Sequence, residues 1–182
     1  MVKERLLEVK GYYQEGNNFN FVEEKSWKGK VILREDLTFE GVVADKCSKH
    51  TDNILISGTL VEYNGASLIK FTNHGYRPCS FFGMSTGKEI IGGWAVHDFR
   101  FTKDMGRCKI IFAEVPMDKN EMSEILQKIE DFKSGMDGFS TKIYNSLVAN
   151  MQLTVKQFID NMNENRENIE KEIGFPLQKL EL

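Results

Sequence analysis

"KEIIGGWAV", Lys88 to Val96, sets two adjacent glycines inside an apolar run that closes on a tryptophan and two small apolar residues. Glycine weakens a strand interior unless the backbone bends sharply there or another segment comes very close. Ile90, Gly92 and Trp94 share one face by the two-residue period of a strand, so Gly92 makes room where Trp94 packs against neighbouring strands. Two architectures ask for this. A small barrel needs glycine on its inner face where the wall curves, and a sandwich needs only a β-bulge at Gly92-Gly93.

The order of turns decides between them. From Glu8 to Pro116 the chain is a series of short apolar, β-branched and aromatic runs: "EVKGYYQE", "WKGKVILR", "LTFEGVVAD", "NILISGTLVEY", "ASLIKFTNH", "SFFGMS", "KEIIGGWAVHDF" and "RCKIIFAEV". These are eight strands. Asn64-Gly65 is a strong hairpin signal, because a type I′ turn needs positive φ at both central residues. Glu35-Asp36 and Thr86-Gly87 are also tight links, and nothing between the runs is long enough for a parallel crossover. In an antiparallel meander successive links fall at alternate ends. The three short links therefore share one end, and the longer loops 16–26, 46–52, 75–79 and 101–106 share the other. Eight strands sewn this way close into an up-and-down barrel, wide enough for side chains or one small ligand, and closure removes the exposed edges.

The period changes at Met117. Asp118 stands three residues before Glu121, a capping-box spacing. Met122, Ile125, Leu126, Ile129, Phe132 and Met136 then lie on one stripe of a helix. "SGMDG" breaks the stripe, and a longer apolar pattern runs from Ile143 to Ile173 before Gly174 and Phe175-Pro176 stop it. The expected fold is mainly β, α+β overall: a barrel over 8–116, then a helical extension over 117–182 with helices near 118–134 and 140–173. The second helix either breaks in the Asn-rich 161–168 stretch or continues and pairs with another helix or subunit. Val148, Val155, Met162 and Ile169 recur every seven residues, with Tyr144, Met151, Phe158 and Asn165 as the companion seam. The same stripe serves a helix packed on the barrel wall, which Ile143, Leu147 and Ile159 favour by broadening it.

The succession "FEGVVAD", "ILISGTL", "LIKF", "PCSFFG" and "IIGGW" resembles the recurring F-x-G, I-x-G, I-x-F, G, I-x-G-x-W beat of calycin-type barrels, the lipocalin and avidin superfamily. The first strand departs from the pattern, with "KGYY" in place of a lipocalin's G-x-W, and the helical part exceeds a lipocalin's single helix. The resemblance implies a small, mostly apolar ligand in the barrel, at the end with the long loops. Phe39, Asp45, Ile56, Phe71, Trp94 and His97 are the interior or mouth residues expected to meet it. Asp45 continues the face of Leu37, Phe39, Gly41 and Val43, and either lines the entrance or ends its strand. His97 faces inward as a contact or outward into solvent. The alternative function is an interaction module, a filled barrel whose helices recruit a partner or a second copy.

Composition narrows the partners. Residues 1–116 hold 16 Lys and Arg against 15 Asp and Glu, and residues 117–182 hold 8 against 12, so the barrel is +1 and the helical part −4. Neither carries the basic field of sequence-independent nucleic-acid binding. No run approaches a membrane span, and the N-terminal "MVKERLLEVKG" lacks a secretory apolar stretch, so the chain reads as cytoplasmic, a mature secreted form being the other option. Cys47, His50, His74, Cys79 and Cys108 fall at or near the long-loop end, where zinc takes such ligands. C-x-x-H at Cys47–His50 has no C-x-x-C beside it, and buried thiols with solvated histidines are the plainer reading. No nucleophile elbow, P-loop, dinucleotide fingerprint or H-E-x-x-H is found, so no catalytic residue and no cofactor is expected.

Overall fold

The computed structural model describes residues 4–47, 50–63, 65–75, 78–85, 87, 89–97, 104–174 and 176. Eight strands follow one another: β1 (Arg5–Glu15), β2 (Lys25–Leu33), β3 (Thr38–Cys47), β4 (His50–Tyr63), β5 (Ala66–Asn73), β6 (Cys79–Ser85), β7 (Glu89–Val96) and β8 (Met105–Val115). Each pairs antiparallel with the next, and β8 pairs with β1 from Leu6↔Val115 to Glu15↔Gly106, so the sheet closes. The barrel stands and the sandwich falls. β1 starts three residues before Glu8, because Arg5, Leu6 and Leu7 pair with Leu33, Ile32 and Val31 of β2.

The short links gather at one end, the floor, and the long loops at the other, the mouth. The β2–β3 link is longer than the Glu35-Asp36 dipeptide expected of it. It takes in Leu37, which sits at φ 64 in the left-handed region. The Asp36 carboxylate accepts from Thr38 N (3.0 Å) and Thr38 Oγ1 (2.5 Å), while the Leu37 carbonyl accepts from Leu60 N (3.0 Å). These bonds offset the cost of a left-handed leucine. At the β4–β5 link Gly65 has φ 76, as a hairpin glycine should, and Asn64 lies outside the described residues.

Gly92 shows why the opening stretch carries glycine. It faces inward opposite Gly83, and a Cβ there would lie 1.8 Å from the Phe82 carbonyl oxygen and 2.6 Å from Gly83 Cα. No side chain fits that approach. Gly93 faces outward, and the Phe82 ring lies across it. Trp94 turns inward, 8% exposed, and its Nε1 donates to the Gln14 carbonyl of β1 at 3.0 Å.

The inward positions form one apolar core. Val9, Trp27, Val31, Phe39, Ile69 and Phe71 are among its fully enclosed members. Phe71 and Phe81, paired directly on neighbouring β5 and β6, stack at 4.7 Å on the inner wall, and Trp27 of β2 reaches across the interior to set its edge on Phe71 at 5.3 Å. At the floor Arg5 bonds Glu62 (2.5 Å) and Glu114 (3.3 Å), tying β1, β4 and β8 together.

A second cluster lies outside the wall. Leu6, Ile32 and Leu55 face outward and are covered by Ile125 and Ile129 of α1 (Lys119–Ser134) and Tyr144 of α2 (Gly138–Glu164). Asp118 caps α1 by accepting from Asn120 N (2.8 Å) and Glu121 N (3.4 Å). Asp137 caps α2 through Ser140 N at 2.7 Å. The two long helices, joined by a short turn, lie on the wall side by side: α1 over β2 and β3, and α2 along β4 down to Gln152, which reaches Asp36 at the floor (3.3 Å). Leu126 belongs to the predicted stripe yet stays 44% exposed, at its edge. The long second helix is interrupted at Asn165, with α3 (Arg166–Ile173) beyond it, so the helical part has three helices where the sequence reading has two. No described helix is long and apolar enough to cross a membrane.

Gly92→Ala should destabilise the protein by about 2–4 kcal/mol in urea unfolding, because a backbone carbonyl and a Cα must both give way. Gly87→Ala, at a position where the nearest heavy atom lies 4.0 Å away, should stay within about 0.5 kcal/mol of the parent.

Candidate functional site

A concavity with partly apolar walls lies outside the barrel. It has a volume of about 540 Å³, between the α1–α2 turn and the β5–β6 edge of the mouth. Phe132, Met136 and Ile143 give it apolar walls, His74, Gly75 and Pro78 close the barrel side, and Asp131, Asp137 and Ser140 stand at its polar edge. Its shape follows from local sequence. "SGMDG" ends α1 at Gly135, whose N–H returns to the Asp131 and Phe132 carbonyls, and Asp137 restarts the chain as α2. That reversal leaves Met136 on the wall of the cleft.

Behind the cleft lies a buried polar network centred on Glu40. Glu40 is 6% exposed on the outer face of β3. Arg34 and Tyr144 Oη bond its carboxylate at short range, and Lys133 Nζ lies 3.2 Å away. Burial alone would raise the Glu40 pKa. Tyr144, Arg34 and Lys133 outweigh it and hold the carboxyl below its usual range. Burial and the Glu40 charge push the Tyr144 phenol up in turn, so it stays a donor. Lys133 Nζ also lies 5.2 Å from the Tyr144 ring centre. One carboxylate therefore joins the barrel, the β2–β3 link and both long helices.

His74 connects this network to the cleft. Its ring meets Tyr144 edge-on at 4.9 Å, and its Nε2 is 2.6 Å from Ser57 Oγ. Burial and nearby His97 lower its pKa to about 4, with Glu40 opposing, so the imidazole is neutral at neutral pH. Ser57 is 3% exposed, so this pair fastens β4 to the β5 end and offers no accessible nucleophile. Ser57, Thr72 and Ser80 form a cross-strand row of hydroxyls on the same outer face, continued by His97, whose Nε2 is 2.6 Å from Ser80 Oγ.

The residues expected to meet a ligand are divided by the wall. Phe39, Ile56, Phe71 and Trp94 all face inward, 1–8% exposed, within the packed core. The space bounded by Trp27, Val43, Asp45, Ile56, Phe71, Asn73 and Phe81 has a volume of about 0 Å³. Asp45 faces inward at the mouth, with Tyr13 Oη donating to it at 3.4 Å. Burial raises its pKa to about 6, against the Tyr13 bond and with help from Asp52. His97 is exposed on the outer face, the other of the two placements its strand allowed. Trp27 Nε1 is buried with no partner among the described residues.

Among the described side chains, His74, Cys79 and Cys108 do not converge. His74 faces outward, while Cys79 packs against the interior core and Cys108 lies wholly within it. Burial pushes the Cys108 thiol up to about 12, and its Sγ lies 3.4 Å from the Gly93 carbonyl. The side chains of Cys47 and His50 lie outside the described residues. Among the described residues no group of three His, Cys, Asp or Glu is placed to hold a metal ion.

Sequence reasoning missed the Glu40 network. In "LTFEGVVAD" Glu40 occupies an outward strand position, where a carboxylate is ordinarily solvated. Only the helices laid over it make it buried, and no local signal announces that packing.

Two of the shifted groups, His74 and Asp45, act on stability in opposite senses. His74 binds its proton more weakly folded than unfolded, so its contribution is complete above about pH 6.5 and is lost as pH falls toward 4. That loss should amount to about 2–3 kcal/mol. Asp45 holds its proton more tightly folded than unfolded, so its contribution is present at low pH and is lost as pH rises through about 6. Urea midpoints measured across pH 4–8 should show His74→Gln flattening the acid limb. Asp45→Asn should raise stability at pH 8 by about 1 kcal/mol, a figure reduced for its partial exposure.

No known protein family matches the chain, and neither does any curated protein or solved structure.

Proposed function

We propose that this protein binds a small molecule with an apolar body, held in the cleft between the α1–α2 turn and the barrel rim, and that the barrel is its rigid scaffold. One observation carries the reading: the space among the inward aromatics is closed at about 0 Å³, while the cleft offers about 540 Å³. Small-molecule sites commonly occupy about 300–1,000 Å³, with mostly apolar walls and a few polar groups to fix orientation. Phe132, Met136 and Ile143 suit the apolar part, and His74, neutral and anchored by Ser57, presents a fixed imidazole beside it. The likeness of the strand pattern to lipocalins supports the ligand class, small and mostly apolar. That likeness implies a ligand inside the barrel, where Trp27 would have to leave its 5.3 Å contact with Phe71.

Methyl-labelled protein titrated with N-phenyl-1-naphthylamine, a neutral apolar probe, should show saturable shifts at Met136 and Ile143 and none at Ile56 or Ile69. Ile143→Arg should abolish them. Shifts led by Ile56 and Ile69 would return the ligand to the barrel, and the absence of any saturable shift would remove the binding reading.

A further inference from the structure

Among the described residues the helices cover β2–β4 and leave the opposite wall bare of helix, with the β1–β2 loop touching its β8 edge where Asn17 and Phe19 meet Arg107. On that wall Leu68, Met84 and Ile91 stand side by side in cross-strand register and are 40%, 68% and 41% exposed. Phe82, 56% exposed, extends the row toward the mouth. Single exposed apolar residues are ordinary, but a contiguous row with a phenylalanine marks an interaction surface. Its charged surroundings are mostly cationic: Lys109 of β8 lies 3.9 Å from Glu89 of β7, which leaves Lys70 of β5 and Arg107 of β8 as the excess positive charge. Two such walls repel one another, so face-to-face pairing is disfavoured.

The chain carries an opposite surface of its own. α2 has reached the floor at Gln152, and 12 further residues, 153–164, continue it for about 18 Å at about 1.5 Å per residue. Leu153 at the start of that stretch is 54% exposed. From 153 to 173 the acids Asp160, Glu164, Glu167, Glu170 and Glu172 outnumber the bases Lys156, Arg166 and Lys171.

We propose that the bare β5–β8 wall docks the acidic end of the helical tail, from Leu153 onward, of a second copy of this chain. The wall supplies the apolar row and the tail supplies Leu153, with the two charge patterns complementary across the contact. A two-fold arrangement satisfies both copies at once, each tail on the other's wall. None of the row's residues lines the cleft, so the surface stands independently of what the cleft binds.

Sedimentation equilibrium of the full chain should report a dimer, twice the 20.9 kDa chain mass, which weakens as salt screens the contact. Met84→Glu and Leu153→Glu should each weaken association about tenfold or more, by placing a charge in an apolar contact, with unchanged urea midpoints of the monomer. Lys70→Glu with Arg107→Glu should weaken it too, and adding Glu164→Lys with Glu167→Lys should restore it. A monomer at every concentration overturns the proposal. So does a dimer indifferent to Met84→Glu, or one lost with Met84→Glu but indifferent to Leu153→Glu. Binding of the monomer to phosphatidylserine vesicles in place of self-association would assign the wall to a lipid surface and overturn it as well.

Discussion

Eight short strands close on themselves only if each can pass very near its neighbours without a side chain in the way. At Gly92 the clearance is 1.8 Å from an ideal Cβ to the Phe82 carbonyl, which leaves room for hydrogen and nothing larger. The same tight curvature explains the contents of the barrel. A wall bent this strongly encloses little space, and Trp27, Phe71 and Phe81 fill what remains. Trp27 fits because it lies over Gly11, where a Cβ would fall 2.1 Å from the indole. Closure and filling are one constraint seen from two sides. Because the interior is used for packing, the places left for recognition are outside it.

The outer wall is shaped by a single carboxylate. Isolated in an apolar contact, Glu40 would cost several kcal/mol, and breaking a buried pair by removing a partner commonly costs about 3–5 kcal/mol. Its three partners come from the β2–β3 link, α1 and α2, so those elements are held in one relation to the barrel. The position of the cleft is a product of that relation: Lys133 fixes the end of α1, Tyr144 fixes the first turns of α2, and the turn between them stands opposite His74. Apolar packing of Ile125 and Ile129 supplies attraction without direction, whereas the hydrogen bonds of Glu40 supply the register.

The fold was legible because its signals are local. Turn parity ordered the strands, Gly92 marked the curvature, and Asp118 and "SGMDG" marked the helix boundaries. What escaped the sequence is what depends on elements distant in the chain. Glu40 and Tyr144 are 104 residues apart, and neither looks unusual in its own segment. The inward positions of Phe39, Ile56, Phe71 and Trp94 follow from the strand period. Whether such positions line a cavity or fill it depends on summed volumes across all strands, which periodicity does not measure. His97 was undecided for a related reason: its side follows only from the register that Trp94 and Val96 fix. The break at Asn165 falls in the Asn-rich stretch, where asparagine competes for backbone hydrogen bonds and weakens a helix.

The seam between the first and last strands has a kinetic meaning. Leu6 and Val115 meet across it, 109 positions apart, and the Arg5 contact with Glu114 spans the same interval. Loop-closure entropy on that scale must be met before the pairing returns anything, so barrels of this connectivity mature slowly compared with helical proteins. During synthesis one edge of β1 stays exposed until β8 has left the ribosome. The helices follow β8 in the chain, and by packing on Leu6 of β1, Ile32 of β2 and Leu55 of β4 they bind strands from the first half of the ring to the end of the chain.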